Sequence, residues 1–103
     1  MSSRRSRFEI YIDILAQIKS GETLPTRIMY GVNLSWKNLQ STLQSLINQG
    51  LIEEFNENEG DNRSKKFYRI TEKGDNVLKY FNRIESLMEL NLTSTSEYLY
   101  RKY

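Results

Sequence analysis

The sequence predicts a mainly α-helical fold with one small β-hairpin, of the α+β class. Several segments repeat apolar residues every three or four positions, which is the spacing of an amphipathic helix. Two short segments rich in apolar and aromatic residues flank a stretch of Asn, Glu and Gly, which is typical of a hairpin. A chain of 103 residues favours one domain with a single modest core.

The first predicted helix runs from Ser6 to Lys19. Ser6 and Glu9 have the spacing of a capping box, in which each residue satisfies a backbone group of the other. Ser20-Gly21 is expected to end this helix, with Gly21 in the left-handed conformation. The apolar face consists of Phe8, Ile12 or Tyr11, Leu15 and Ile18.

A short second helix is predicted over residues 26–30, after Pro25, because proline suits the entry of a helix. Gly31 is expected to stop this helix and to supply a positive φ where the chain reverses. Val32 or Leu34 is then expected to fill the angle between this helix and the next one.

The third helix is predicted over residues 35–49. Ser35 is a favourable N-cap, and Gly50 is expected to end the helix. One apolar face is formed by Leu39, Leu43, Leu46 and Ile47.

The hairpin is predicted as two short strands with a long tip. The strands cover residues 51–55 and 66–70, and the polar stretch 56–64 between them is expected to be a loop. Phe67 and Tyr68 are expected to point to opposite faces, because successive side chains alternate along a strand.

The last helix is predicted from Glu72 to about Leu90, with Thr71 as its cap. Its apolar residues step by four, three and four positions, which is the pattern of a helix-pairing seam. We therefore predict a homodimer through Val77, Phe81, Ile84 and Met88. The same stripe could instead close the core of its own domain. No pattern assigns a structure to residues 91–103.

Few small folds have the order helix, helix, turn, helix, strand, loop, strand, helix, and the winged helix-turn-helix is the commonest. We predict this domain over residues 1–71 and a dimerisation helix with its tail over residues 72–103. In this arrangement the helix after the turn enters the major groove of double-stranded DNA.

The exposed side of the 35–49 helix is expected to contact DNA. Asn and Gln pair with adenine edges, Lys reaches guanine or phosphate, and a helix N-terminus meets phosphate. Polar residues are also found on the solvent-exposed face of any amphipathic helix. The order of the elements is what favours DNA contact over this alternative. The candidates are Ser35, Trp36, Lys37, Asn38, Gln40, Ser41 and Gln44.

Basic residues outside this helix are further candidates for phosphate contacts. Arg27 begins the second helix, where such elements cross the DNA backbone. The second arm of the hairpin carries Arg63, Lys65, Lys66 and Arg69, and the N-terminus carries Arg4, Arg5 and Arg7. The first arm and tip carry Glu53, Glu54, Glu57, Glu59 and Asp61. The wing therefore either turns its basic arm towards DNA or contributes little.

The net charge of +2 is too small to argue for nucleic acid, but its distribution is informative. Residues 1–50 carry six basic and three acidic residues, whereas residues 51–103 carry nine and ten. The positive excess thus lies in the half that holds the helix pair.

The residue types present argue against an enzyme. The chain has no Cys and no His, which removes thiolate nucleophiles, imidazole bases and the usual zinc ligands. We expect no cofactor and no metal. No apolar run is long enough to cross a bilayer, so we expect no membrane partner and a cytoplasmic, nucleoid-associated protein. A winged helix that binds another protein instead of DNA is the alternative function.

The segment 26–36, TRIMYGVNLSW, resembles the turn TRIMYGANLSY of small archaeal winged-helix chromatin proteins, which dimerise through a C-terminal antiparallel coiled coil. The likeness extends over roughly residues 5–90. It implies a dimeric archaeal DNA-binding protein that acts in chromatin organisation or transcription, and it assigns Arg27, Asn33, Ser35 and Lys37 to DNA contact.

Two departures from this family pattern matter. The seam fades after Met88, because Asn91 lies where the next apolar residue is due. The acidic wing tip is unusual for a protein that coats DNA in general. Both departures favour a shorter dimer seam and a more selective regulator.

Overall fold

A computed structural model describes residues 6–59 and 63–88, without the side chains of residues 58, 59, 63 and 64. The elements are α1 (Arg7–Lys19), α2 (Pro25–Val32), α3 (Trp36–Asn48), β1 (Ile52–Glu59), β2 (Arg63–Ile70) and α4 (Glu72–Met88). The predicted class, mainly α-helical with one antiparallel hairpin, is confirmed. The expectations for Arg4, Arg5, the Arg63 side chain, the wing tip and residues 91–103 lie outside the described part of the chain.

The ends of α1 follow the sequence prediction closely. The Ser6 hydroxyl accepts from the Glu9 backbone N–H at 3.1 Å, and the Ser6 N–H donates to the Glu9 carboxylate at 2.9 Å. Gly21 has a φ of 111° just after the helix ends. The predicted capping box and left-handed stop are therefore confirmed.

The turn between α2 and α3 differs from the prediction, because Gly31 is helical and α2 continues to Val32. Asn33 takes the left-handed conformation instead, with φ 59° and ψ 51°, and its N–H donates to the Met29 carbonyl. Asparagine tolerates this conformation better than most residues. The Gln17 side chain of α1 lies over Gly31, so a β-carbon at this position would require that flexible side chain to shift.

The hairpin has longer strands and a shorter tip than predicted. The antiparallel register extends from Ile52 opposite Ile70 to Glu59 opposite Arg63, so most of the predicted loop over 56–64 is strand. The polar residues extend the ladder because acidic and basic ones face each other across it, as Glu57 does Lys65.

The core is shared by all the helices and by the base of the hairpin. Tyr68 points into it and is 1% exposed, whereas its neighbour Phe67 is half-buried on the other face, as predicted. The Tyr68 N–H donates to the Thr23 carbonyl at 3.0 Å, which ties β2 to the segment between α1 and α2. The fully buried side chains with the largest volumes are Tyr68, Ile12, Ile14, Leu15, Ile28, Leu39, Leu43, Leu46 and Ile52.

Hydrogen bonds connect the segment that follows α3 to the start of α4. The Thr71 hydroxyl donates to the Gly50 carbonyl at 2.7 Å and accepts from the Gly74 N–H at 3.0 Å, which confirms Thr71 as the cap. Lys73 donates to the Gln49 carbonyl at 2.8 Å. A β-carbon at Gly74 would overlap the Leu51 carbonyl, so the backbone of α4 lies directly against the backbone of the segment that follows α3. These contacts fix the direction of α4 relative to α3.

The four residues predicted as a dimer seam are divided between two environments. Val77 packs against the core, and Phe81 is 4% exposed with its ring edge-on to Phe8, 5.6 Å between centroids. These two residues thus contact the core of their own chain, as in the alternative that the sequence left open for this stripe, and their part in a dimer stays a prediction. Ile84 and Met88 are 51% and 59% exposed and remain open to a partner.

Within the described ranges, no helix is both long and apolar enough to span a membrane.

Candidate nucleic-acid interface

The N-terminus of α3 is capped by Ser35 and lies at the exposed surface. The Ser35 hydroxyl accepts from the Asn38 N–H at 3.2 Å, so its oxygen serves as the helix cap. The remaining N–H groups of the first turn have no partner within a helix. They lie beside Trp36, which is 49% exposed, and the exposed Lys37. The positive end of the helix dipole is therefore accessible.

Opposite its buried leucines, α3 presents a polar face on which Lys37 is the one charged residue. We call Lys37, Ser41, Gln44 and Asn48 the recognition face, since they follow one another at helical spacing and all are exposed. Of the other predicted contacts on α3, Asn38 is exposed and Gln40 is half-buried, on opposite flanks of this face.

Asn48, which the sequence analysis did not include among the candidates, lies on the same face of α3. Gln44 donates to the Asn48 side-chain oxygen at 3.0 Å, so the two amides form one unit at the C-terminal end of the face. The four-residue spacing from Gln44 was the available signal.

The two predicted contacts near the turn have roles within the chain. Arg27 lies 3.1 Å from the Glu22 carboxylate, and both side chains are substantially exposed. An exposed pair of this kind contributes little stability. Asn33 is exposed and forms the left-handed turn itself.

The wing carries its basic residues opposite acidic ones. The register places Glu53 opposite Arg69 and Glu57 opposite Lys65, whereas Lys66 lies opposite the neutral Asn56. Lys66 also lies 3.9 Å from the Glu54 carboxylate. Most of the positive charge of β2 is therefore compensated by β1.

The root of the wing is held by Tyr68, whose hydroxyl donates to Glu54 at 2.9 Å. Burial raises the pKa of this phenol far above its ordinary value, and the hydrogen bond and charge of Glu54 raise it further. Tyr68 is thus a neutral donor, and it holds Glu54 against the inner face of the wing.

The outer face of the wing is an aromatic pair covered by one guanidinium. The Phe55 and Phe67 rings stack with 5.3 Å between centroids. Arg69 lies over both rings, 5.2 Å and 5.6 Å from their centroids. This cation–π arrangement orders Arg69 against the sheet.

A groove of about 310 Å³ lies between α1 and α3, beside the recognition face. Arg7 and Tyr11 of α1 form one wall, and serine and asparagine side chains of α3 form the other. Arg7, the member of the N-terminal basic cluster that the structure describes, thus lies next to α3. No group of three or more potential metal ligands occurs in the described part of the chain.

Comparisons with known proteins agree with this architecture. The family described as "Winged helix-turn-helix" matches residues 4–99. An uncharacterized protein of Methanocaldococcus jannaschii is 34% identical over 87 residues, which cover 84% of this chain and 77% of that protein.

Two solved structures extend the comparison. Sso10a-2, a DNA-binding protein from Sulfolobus solfataricus, is 29% identical with a TM-score of 0.61, covering 94% of this chain and 95% of that one. A PadR family transcription regulator from Clostridium difficile shares the fold with a TM-score of 0.64 at 22% identity, covering 77% of this chain and 91% of that one. With helix pair, wing and family match in agreement, this chain belongs to the winged helix-turn-helix family.

Proposed function

We propose that this protein binds double-stranded DNA as a transcription regulator and places α3 in the major groove. The recognition face carries the proposal, because it is the exposed side of a helix whose other side is anchored in the core. Its polar side chains offer hydrogen bonds to base edges, and a groove of B-DNA is wide enough for the helix.

The relatives support this proposal. The Sulfolobus solfataricus protein is described as DNA-binding, and the Clostridium difficile protein as a transcription regulator. The first of them aligns with nearly the whole chain.

We assign different tasks to the contacts. Gln44, Gln40 and Asn38 read adenine edges, and Lys37 reaches guanine or a phosphate. Ser35 and Arg27 position the helix on the backbone. The wing residues Lys65 and Lys66, with Arg63, contribute less, because β1 carries the opposing charge.

Binding of a fluorescent duplex, followed by anisotropy over a range of salt concentrations, tests the proposal. We expect affinity to fall steeply with salt, because phosphate contacts release counterions. Lys37→Ala should weaken binding by about 1 kcal/mol, roughly fivefold. Lys79→Ala, an exposed lysine of α4 paired with Asp75, is the matched control and should bind like the original chain. Absence of salt-dependent binding by the original chain would refute the proposal.

A winged helix that docks a protein is the second candidate. The exposed carboxylates Glu53 and Glu57 on the wing favour it, since they repel phosphate. The same titration separates the two functions, because a protein-docking domain would leave the duplex unbound even at low salt.

We also propose that the protein is a homodimer through the C-terminal half of α4. Exposed apolar side chains line this part of the helix, namely Tyr80, Ile84, Leu87 and Met88. A small domain gains stability when a partner covers such a stripe. Ile84→Asp with Leu87→Asp should give a folded monomer in sedimentation velocity, whereas Arg83→Asp on the same helix should not. A dimer that survives the double change would refute this seam.

A genome-wide binding map distinguishes the two ways of acting on DNA. Discrete peaks indicate a selective regulator, and continuous coverage indicates a chromatin protein. Either result is consistent with a cytoplasmic protein at the nucleoid, and neither involves catalysis.

A further inference from the structure

The groove between α1 and α3 collects hydrogen-bond donors from both helices. The Arg7 guanidinium and the Tyr11 hydroxyl come from α1, and the side chains of Asn38, Ser41 and Ser45 come from α3. Its volume of about 310 Å³ is at the lower end of the range for small-ligand pockets.

Several of these donors have no acceptor within residues 6–59 and 63–88. Inside a helix, Ser and Thr hydroxyls commonly bond to the carbonyl four residues earlier, as Thr42 does to Asn38 at 2.8 Å. Ser41 and Ser45 make no such bond to the described residues, and Arg7 forms no ion pair with any of them. The groove thus offers donors that the fold itself does not use.

The charge of the groove has one sign. None of the described residues that line it is acidic, although the chain has 13 acidic residues. A guanidinium stays protonated and matches the oxygens of a phosphate in a bidentate manner. Hydroxyl and amide donors around it favour an anion further.

The groove opens beside the recognition face, and Ser41 belongs to both. Any duplex lying against α3 therefore passes over the mouth of the groove. Ile10 and Leu34 add an apolar wall suited to the carbon skeleton of a sugar.

We propose that this groove binds a sugar phosphate of the DNA backbone, with Arg7 as its cation. The inference rests on the proposed function, because it names a further contact of the same interface. A free phosphorylated sugar has the same chemistry and is the other source of the group.

The salt dependence of duplex binding tests the backbone as the source. Arg7→Gln should reduce the slope of log affinity against log salt by about one unit, since one phosphate contact is lost. Arg83→Gln, the same change at an exposed arginine of α4, is the matched control and should keep the slope. Ser41→Ala with Ser45→Ala should weaken binding in the original background but add little to Arg7→Gln.

A titration without DNA tests the other source. Inorganic phosphate and deoxyribose 5-phosphate are added to the isotope-labelled protein, and the amide resonances of Ser41 and Ser45 are followed. One result would show that the groove binds a free phosphorylated ligand and not the DNA backbone. It is saturable resonance shifts that disappear in Arg7→Gln, while the salt slope of duplex binding stays unchanged in this variant.

The outcomes separate this inference from the proposed function. If the original chain binds no duplex, the DNA function fails and the phosphate titration alone decides on the groove. If the duplex binds but Arg7→Gln changes neither the salt slope nor the phosphate-induced shifts, the proposed phosphate site in the groove is refuted while the DNA function stands.

Discussion

The helix α3 and the wing are the two surfaces with the residues to contact DNA, and they present charge in opposite ways. On α3 a single cation, Lys37, is exposed and forms no ion pair with another described residue. The wing has more basic residues, but Glu53 lies opposite Arg69 and Glu57 opposite Lys65. The comparison teaches that the number of basic residues in a segment does not measure the charge it offers to a partner.

Both α3 and the wing pack on the same hydrophobic core, and the largest predicted effects come from removing core side chains of each. Leu43→Ala in α3 should cost roughly 2–5 kcal/mol, and Tyr68→Ala in β2 roughly 3–5 kcal/mol, because each leaves a cavity among buried side chains. Urea unfolding followed by circular dichroism measures both.

Each variant should unfold in one transition at lower urea. Exposed Gln44→Ala is the control and should change the midpoint little. If Tyr68→Ala melted the hairpin alone and left the helices intact, wing and helix pair would be separate units.

The turn before α3 tests how the helix is aimed, with an effect of intermediate size. Asn33→Ala should cost about 1 kcal/mol, because alanine is less tolerant of the left-handed conformation found here. Asn33→Gly should cost much less, since glycine adopts this conformation freely. The midpoints of thermal unfolding of the two variants measure this difference in stability.

An equal loss in both Asn33 variants would show that the side chain, not the backbone conformation, is what matters at the turn.

The smallest predicted effect sharpens the comparison of charges. Lys66→Ala on the wing should weaken duplex binding less than about twofold, because the carboxylates of β1, Glu54 among them, repel an approaching phosphate. The same change at Lys37 is expected to have a larger effect. Glu54→Gln should then strengthen binding slightly by releasing Lys66. A loss at Lys66 as large as at Lys37 would contradict the compensated wing.

The sequence predicted the helices well because their signals are local. The capping box of Ser6 and Glu9, the Ser35 cap and the Thr71 cap join residues three positions apart. Such bonds depend only on the immediate chain, so the pattern of residue types reveals them.

The same local view failed where a residue's role depends on a distant partner. Gly31 carries the usual signal of a turn, but it is helical, and the Gln17 side chain of α1 lies over it. Residues 56–59 resemble a loop by composition, yet they pair with the oppositely charged strand β2.

The candidate site was predictable to the extent that it lies on one element. Helical spacing from Ser35 located Lys37, Ser41 and Gln44 on one face, and the structure exposes them. That Arg7 lies near Ser41 and Ser45 could not be predicted from the sequence, because it depends on how the fold places α1 beside α3.

By itself, the sequence determined the helices, the caps of α1, α3 and α4, the presence of a hairpin and the apolar faces, since propensity, capping and periodicity act within a few residues. Only the tertiary structure decided which apolar and charged residues are free for a partner. Phe81 is buried in the core while Ile84 on the next turn is exposed, and Lys65 and Arg69 of the wing lie opposite glutamates. The physical reason is that burial and ion pairing are properties of neighbours in space.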